Sequence, residues 1–121
     1  MKVTATGHTA HTNHYLDSAL DGCNIKVSAS SATRFRRISE LLQQTTTPLS
    51  VATFATMSKD RNDGPNDSLW RTGSGSRTLS SWILELPAEG APRLRVVLAH
   101  PRQPEKEQLL VLDQSFWTRN G

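Results

Sequence analysis

Three short strand-like runs near the C-terminus, at about 79–86, 93–99 and 108–113, are separated by turns carrying Pro87, Pro92, Pro101 and Pro104. Runs joined this tightly can pair only as antiparallel neighbours, because a parallel pair needs a crossover of about a dozen residues or more. The C-terminal part of the chain is therefore expected to be a three-stranded meander. Sheets keep their large apolar side chains on one face, and that rule sets a register. It places Leu86 opposite Leu94, Leu84 opposite Val96 and Trp82 opposite Leu98, then Leu98 opposite Leu110 and Val96 opposite Leu112. The expected core is Trp82, Leu84, Leu94, Val96, Leu98, Leu110 and Leu112. The second face is mixed, with Ile83, Val97 and Val111 in one row and Glu85, Arg95 and Asp113 in the next. A helix, the preceding loop or a second subunit should cover it, and a homodimer would form there.

Two helices are expected upstream. Residues 13–21 put Tyr15, Leu16, Ala19 and Leu20 on one side, with Asn13 as N-cap and Gly22 as the stop. Residues 33–44 space Phe35, Ile38, Leu41 and Leu42 as a helical stripe with Arg36, Arg37, Glu40 and Gln43 pointing away, started by Ser31 or Thr33 and ended by three threonines and Pro48. Between them Cys23, Ile25, Val27 and Ala29 alternate with polar residues as a half-buried strand would. Leu49 to Met57 is rich in β-branched and small residues and also reads as a strand. The run 58–78 is rich in Asn, Asp, Gly and Ser and has only Leu69 and Trp70 as large apolar residues, which predicts a flexible loop. The whole, residues 1–121, reads as a single α+β domain, a size at which one core is the rule.

Composition narrows the function classes. No apolar run reaches the roughly 18 to 20 residues of a membrane span, and the first 20 residues lack a signal-peptide core, so a soluble cytoplasmic protein with no membrane partner is expected. A single cysteine excludes an internal disulfide and the multi-cysteine zinc modules. No cofactor is implied. The net charge of +3 is concentrated between residues 23 and 59, where Lys26, Arg34, Arg36, Arg37 and Lys59 face only Glu40. Such a patch suits phosphate or an acidic partner, and the ten arginines against four lysines favour forked contacts to either.

Five groups of residues bear on chemistry. The row Glu85, Arg95 and Asp113, with His100 just beyond the middle strand, has the residue types of a phosphodiester-cleaving site; its structural counterpart is a cross-strand salt bridge. His8, His11 and His14 offer three imidazoles to a metal, although their spacing by three residues fans them apart on a helix and alternates them on a strand. The chain order Cys23, His100, Asp113 resembles that of papain-like and transglutaminase-like thiol enzymes, but a cysteine opening a strand on its apolar side suits a buried structural role. Within the loop, Asp60, Asn62 and Gly64 fail as a calcium loop because positions 5 and 12 are Gly64 and Arg71. Gly73-Ser-Gly75-Ser offers backbone amides to a phosphate without the lysine and following helix of a P-loop.

Two functions follow from these features. One is a non-catalytic binding module whose basic segment engages an acidic protein or a nucleic acid. The other is a small hydrolase, nuclease-like through Glu85, Arg95 and His100 or thiol-dependent through Cys23, His100 and Asp113.

Overall fold

The protein is described from a computed structural model covering residues 7–46 and 48–120, so Thr47, one of the three threonines expected to end a helix, lies outside the described residues. Among the described residues five helical segments precede or flank one antiparallel sheet, which is an α+β arrangement. In chain order they are a 3-10 helix Ser18–Cys23, α1 Ala29–Gln44, α2 Val51–Ser58, α3 Gly64–Asp67, the strands β1 Ser80–Glu85, β2 Arg93–His100 and β3 Gln103–Val111, and α4 Gln114–Asn120. The sheet order is β1-β2-β3, the expected meander. No helix among the described residues is long and apolar enough to cross a membrane.

Local chemistry explains where α1 begins. Ser28, in extended conformation, accepts a hydrogen bond at its side chain from the Ser31 N–H, so the helix starts one turn earlier than its apolar stripe. At the other end the Thr45 N–H returns to the Leu42 carbonyl. Residues 51–58 form a helix where a strand was expected. The Ser50 hydroxyl caps the Thr53 N–H, and Val51, Phe54 and Met57 recur at helical spacing, so capping and periodicity outweigh β-branched content.

The segment after Gly22 corrects a second expectation. Cys23 ends the 3-10 helix, Ile25 is 98% exposed, residues 24–28 pair with no strand among the described residues, and Ala29 already begins α1. The first expected helix is displaced as well, since Asp17, not Asn13, caps it by accepting from the Ala19 N–H. The run 58–78 is more structured than its composition suggests. It carries α3 and a turn closed by a Thr72–Arg77 bridge, and it buries Trp70 to 3% exposure and Ser68 completely.

The first hairpin pairs two residues away from the expected register, with Leu84 opposite Leu94, Trp82 opposite Val96 and Ser80 opposite Leu98, and the second pairs four residues away, with Leu94 opposite Leu110 and Leu98 opposite Lys106. A shift by an even number of residues preserves which residues share a face. A cover was expected on the mixed face, and it is the other face, expected as the core, that is the more open. Val97 is buried, and α2 lies over Ser81, Ile83, Arg95 and Val97, so a helix covers the mixed face. Trp82, Leu84 and Leu98, expected in the core, are 67%, 54% and 51% exposed. Matching large residues to the core fails here because the chain has more apolar sheet surface than its helices cover, and apolar surface is common on the outside of proteins.

The helices are tied together largely by ion pairs. The Arg37 guanidinium reaches both oxygens of Asp60, at 3.1 Å from Nε and 2.7 Å from Nη2, linking α1 to the turn after α2. The Asp60 carbonyl in turn accepts from the Trp70 N–H at 2.9 Å. Lys59 bonds Glu105 on β3 at 2.7 Å and lies 5.7 Å from the centre of the Trp70 ring.

Candidate functional site

The expected acid–base row is not assembled. With the observed register Glu85 sits opposite Arg93, which approaches it at 3.6 Å, whereas Arg95 sits between Ile83 and Leu109 and donates from Nε to Glu107 at 2.7 Å. His100 closes β2 beside a bulge, its Nδ1 accepting the Arg102 N–H at 3.1 Å. Asp113 begins α4: its carboxylate accepts from the Ser115 hydroxyl at 2.7 Å and the Phe116 N–H at 2.9 Å, and these bonds hold it below the usual carboxylate range. These residues therefore serve the strand ladder, a turn and a helix start. The register differs from the expected one by two residues in the first hairpin and by four in the second, and that is why Glu85, Arg95 and Asp113 fall in different rows.

The basic segment is divided by its partners. Arg36 bonds Glu40 at 2.6 Å and Asp63 at 2.7 Å, Arg37 is committed to Asp60, and Lys59 to Glu105. The compensating carboxylates come from residues 40 to 105, so a charge count over a window of sequence overstated the patch. Lys26 stays exposed, and Arg34 turns toward Asn13, donating from Nη2 at 2.7 Å. Among the described residues no group of three His, Cys, Asp or Glu side chains is placed to hold a metal ion. His8 and His11 are exposed, while His14 is drawn into the structure.

His14 belongs to a hydrogen-bonded cluster built on Ser31, which is 1% exposed. The Ser31 hydroxyl meets His14 Nδ1 at 2.8 Å and accepts the Asn13 N–H at 3.0 Å, and Thr12 bonds the Ser31 carbonyl at 3.1 Å. The His14 ring stands edge-on to Phe35 with centroids 5.7 Å apart. Immediately after it, Tyr15 and Asn24 form a reciprocal clamp: the Tyr15 N–H donates to the Asn24 side-chain oxygen and the Asn24 amide donates back to the Tyr15 carbonyl, both at 2.9 Å. The exposed Cys23 thiol is next to Asn24 in the chain, so this clamp ties the cysteine to the segment that α1 anchors. The sequence singled out Cys23, with His14 as a metal-ligand candidate, Asn13 as an N-cap and Tyr15 as a helix-face residue, but not Asn24 or the contacts these residues make, which join pairs nine to eighteen residues apart.

Beside this segment lies a polar cavity of about 660 Å³, lined among others by Asn13, Ser28, Arg34, Asp67, Arg71 and Ser74. Its floor is the start of α1 and its rim the Gly73-Ser-Gly75-Ser turn. That turn is seated by Gly73, whose N–H bonds the Pro65 carbonyl at 2.9 Å. A β-carbon at Gly73 would fall 1.8 Å from the Asn66 side-chain oxygen. Burial lowers the Arg34 pKa, the positive charge of Arg71 lowers it further, and Asp67 partly offsets both.

A family model described as acyl-coenzyme A:6-aminopenicillanic acid acyl-transferase matches residues 1–103. No curated protein matches the chain. The matched stretch contains α1 to α3, β1, β2, Cys23 and the whole polar cavity, and is well over half of the sequence. The protein belongs to the acyl-coenzyme A:6-aminopenicillanic acid acyl-transferase family.

Proposed function

We propose that the protein takes part in acyl transfer from a coenzyme A thioester to an amine, with the Cys23 thiol as nucleophile. The observation that carries this reading is the joint one: membership of a family described as an acyltransferase, and a single exposed cysteine held by the Tyr15–Asn24 clamp. Acyl transfer benefits from a covalent intermediate because it divides one difficult displacement into two easier ones. The Cys23 thiolate attacks the thioester carbonyl, the coenzyme thiolate leaves and takes a proton, and the acyl group remains on Cys23 as a new thioester. The amine then attacks that carbonyl, gives up a proton, and the amide leaves with the cysteine regenerated.

The base assigned here is His14, the imidazole one residue from the clamp. Its Nδ1 is engaged by Ser31, which fixes the ring and leaves Nε2 for proton transfer. His100 and Asp113 have structural duties elsewhere, which favours His14 over the thiol triad expected from chain order.

The test is incubation with an acyl-coenzyme A and an amine acceptor, followed by mass analysis of the intact chain and of the Cys23 peptide. A hydroxylamine-sensitive acyl group on Cys23, absent from Cys23→Ala, is expected, together with a loss of about a hundredfold or more in rate for His14→Gln. Amide formation by Cys23→Ala at the wild-type rate would overturn the nucleophile assignment.

A further inference from the structure

We propose that the cavity between the start of α1 and the 73–76 turn is a phosphate-binding site, with Arg34 and Arg71 as its charged pair. Two guanidinium groups lie in the lining of one cavity against a single carboxylate, Asp67, so the cavity keeps a positive excess. Like charges are brought together in a fold at a cost, and an anion between them removes it.

The donor inventory fits an oxyanion. Arg34 spends only Nη2 on Asn13, at 2.7 Å, and its Nε is buried with no hydrogen-bond partner among the described residues. A buried unpartnered donor costs free energy that a ligand can recover. Ser28, Ser30, Ser74 and Ser76 bring hydroxyls to the same lining, and Ser30 already donates to the Asn66 carbonyl at 3.2 Å. The floor is the N-terminal end of a 16-residue helix, whose partial positive charge adds to that of the two arginines. Guanidinium forks match tetrahedral oxyanions better than ammonium groups do, and among the described residues no lysine lines the cavity. Among the described residues Arg71 is held by its backbone, through the Thr78 hydroxyl and the Thr78 N–H, each at 2.9 Å, and no hydrogen bond engages its side chain there.

This site stands without the acyl-transfer reading, since inorganic phosphate carries no acyl group. A phosphate could reach it as the free ion or as part of a phosphorylated carrier such as coenzyme A. Calorimetric titration at constant ionic strength with phosphate, pyrophosphate, coenzyme A and phosphate-free pantetheine separates these sources. Saturable binding of the phosphorylated probes and none of pantetheine is expected, with affinity reduced about tenfold or more in Arg71→Gln, as loss of a charge-assisted contact implies. Coenzyme A binding more tightly than phosphate identifies the carrier as the source, and equal binding identifies the free ion. Arg71→Glu, which pairs with Arg34 and fills the charge, should abolish binding while the chain keeps its melting temperature. Absence of saturable phosphate and pyrophosphate binding, or Arg71→Gln titrating as wild type, overturns the proposal.

Discussion

Replacing Arg37 with Gln tests the ion pair that fastens α1 to the turn after α2. The two side chains are 18% and 14% exposed, so the pair is neither a solvated surface bridge nor a fully desolvated one. Exposed pairs contribute about 0.2–1 kcal/mol and hydrogen bonds to charged groups about 1.5–3 kcal/mol. An intermediate loss of about 2 kcal/mol is expected, or roughly 6–10 °C in Tm for a chain of this size. The pH dependence carries the sharper test. The Arg37 hydrogen bonds hold the Asp60 carboxyl below its usual range, with the Asn62 N–H at 3.2 Å assisting. A carboxyl depressed in the folded state stabilises fully above its unfolded pKa of about 3.9 and loses that stabilisation as pH falls through the folded value. The gap between wild type and Arg37→Gln, read from urea titrations followed by circular dichroism, should therefore be full at pH 7 and shrink below about pH 4. Asp60→Asn should give a similar loss, and the double variant less than the sum of the two. A loss under about 0.5 kcal/mol at pH 7, within the range of neutral surface changes, would refute the reasoning, as would a gap that does not change with pH.

Trp70→Ala should cost about 3–5 kcal/mol in urea unfolding, because this is the largest buried side chain of the 58–78 segment and the cavity left is lined by Lys59 and its neighbours. Gly73→Ala should cost about 1–3 kcal/mol through the clash with Asn66, and Asn66→Gly in the same chain should recover much of it; no recovery would place the strain at the Pro65 carbonyl, 3.1 Å from the added carbon.

What was legible in the sequence was what depends on short-range pattern. The meander could be read from its proline turns and α1 from the spacing of Phe35, Ile38, Leu41 and Leu42. Register could not, because Leu84 matches Leu94 as well as Val96 and nothing local chooses between them. A cover over the mixed face could be read from its apolar row, but not which segment supplies it, because α2 reads as a strand. Cys23 and the Gly-Ser turn were visible as residue types. Their setting depends on Asn24 meeting Tyr15 and on Arg34 sharing a cavity with Arg71, which are long-range events with no periodic signature.

The two edges of the sheet differ in how they meet other molecules. β3 begins at Gln103 with Pro104 and then Glu105, Lys106 and Glu107, a proline and alternating charges of the kind that discourage another chain from adding to an edge. β1 runs Ser80-Ser81-Trp82-Ile83-Leu84-Glu85, with no proline and one charge at its far end. That composition is the one associated with cross-strand aggregation. The two edges are thus unequal: β1 leaves its free backbone donors and acceptors unguarded toward a further strand, while β3 guards the start of its own.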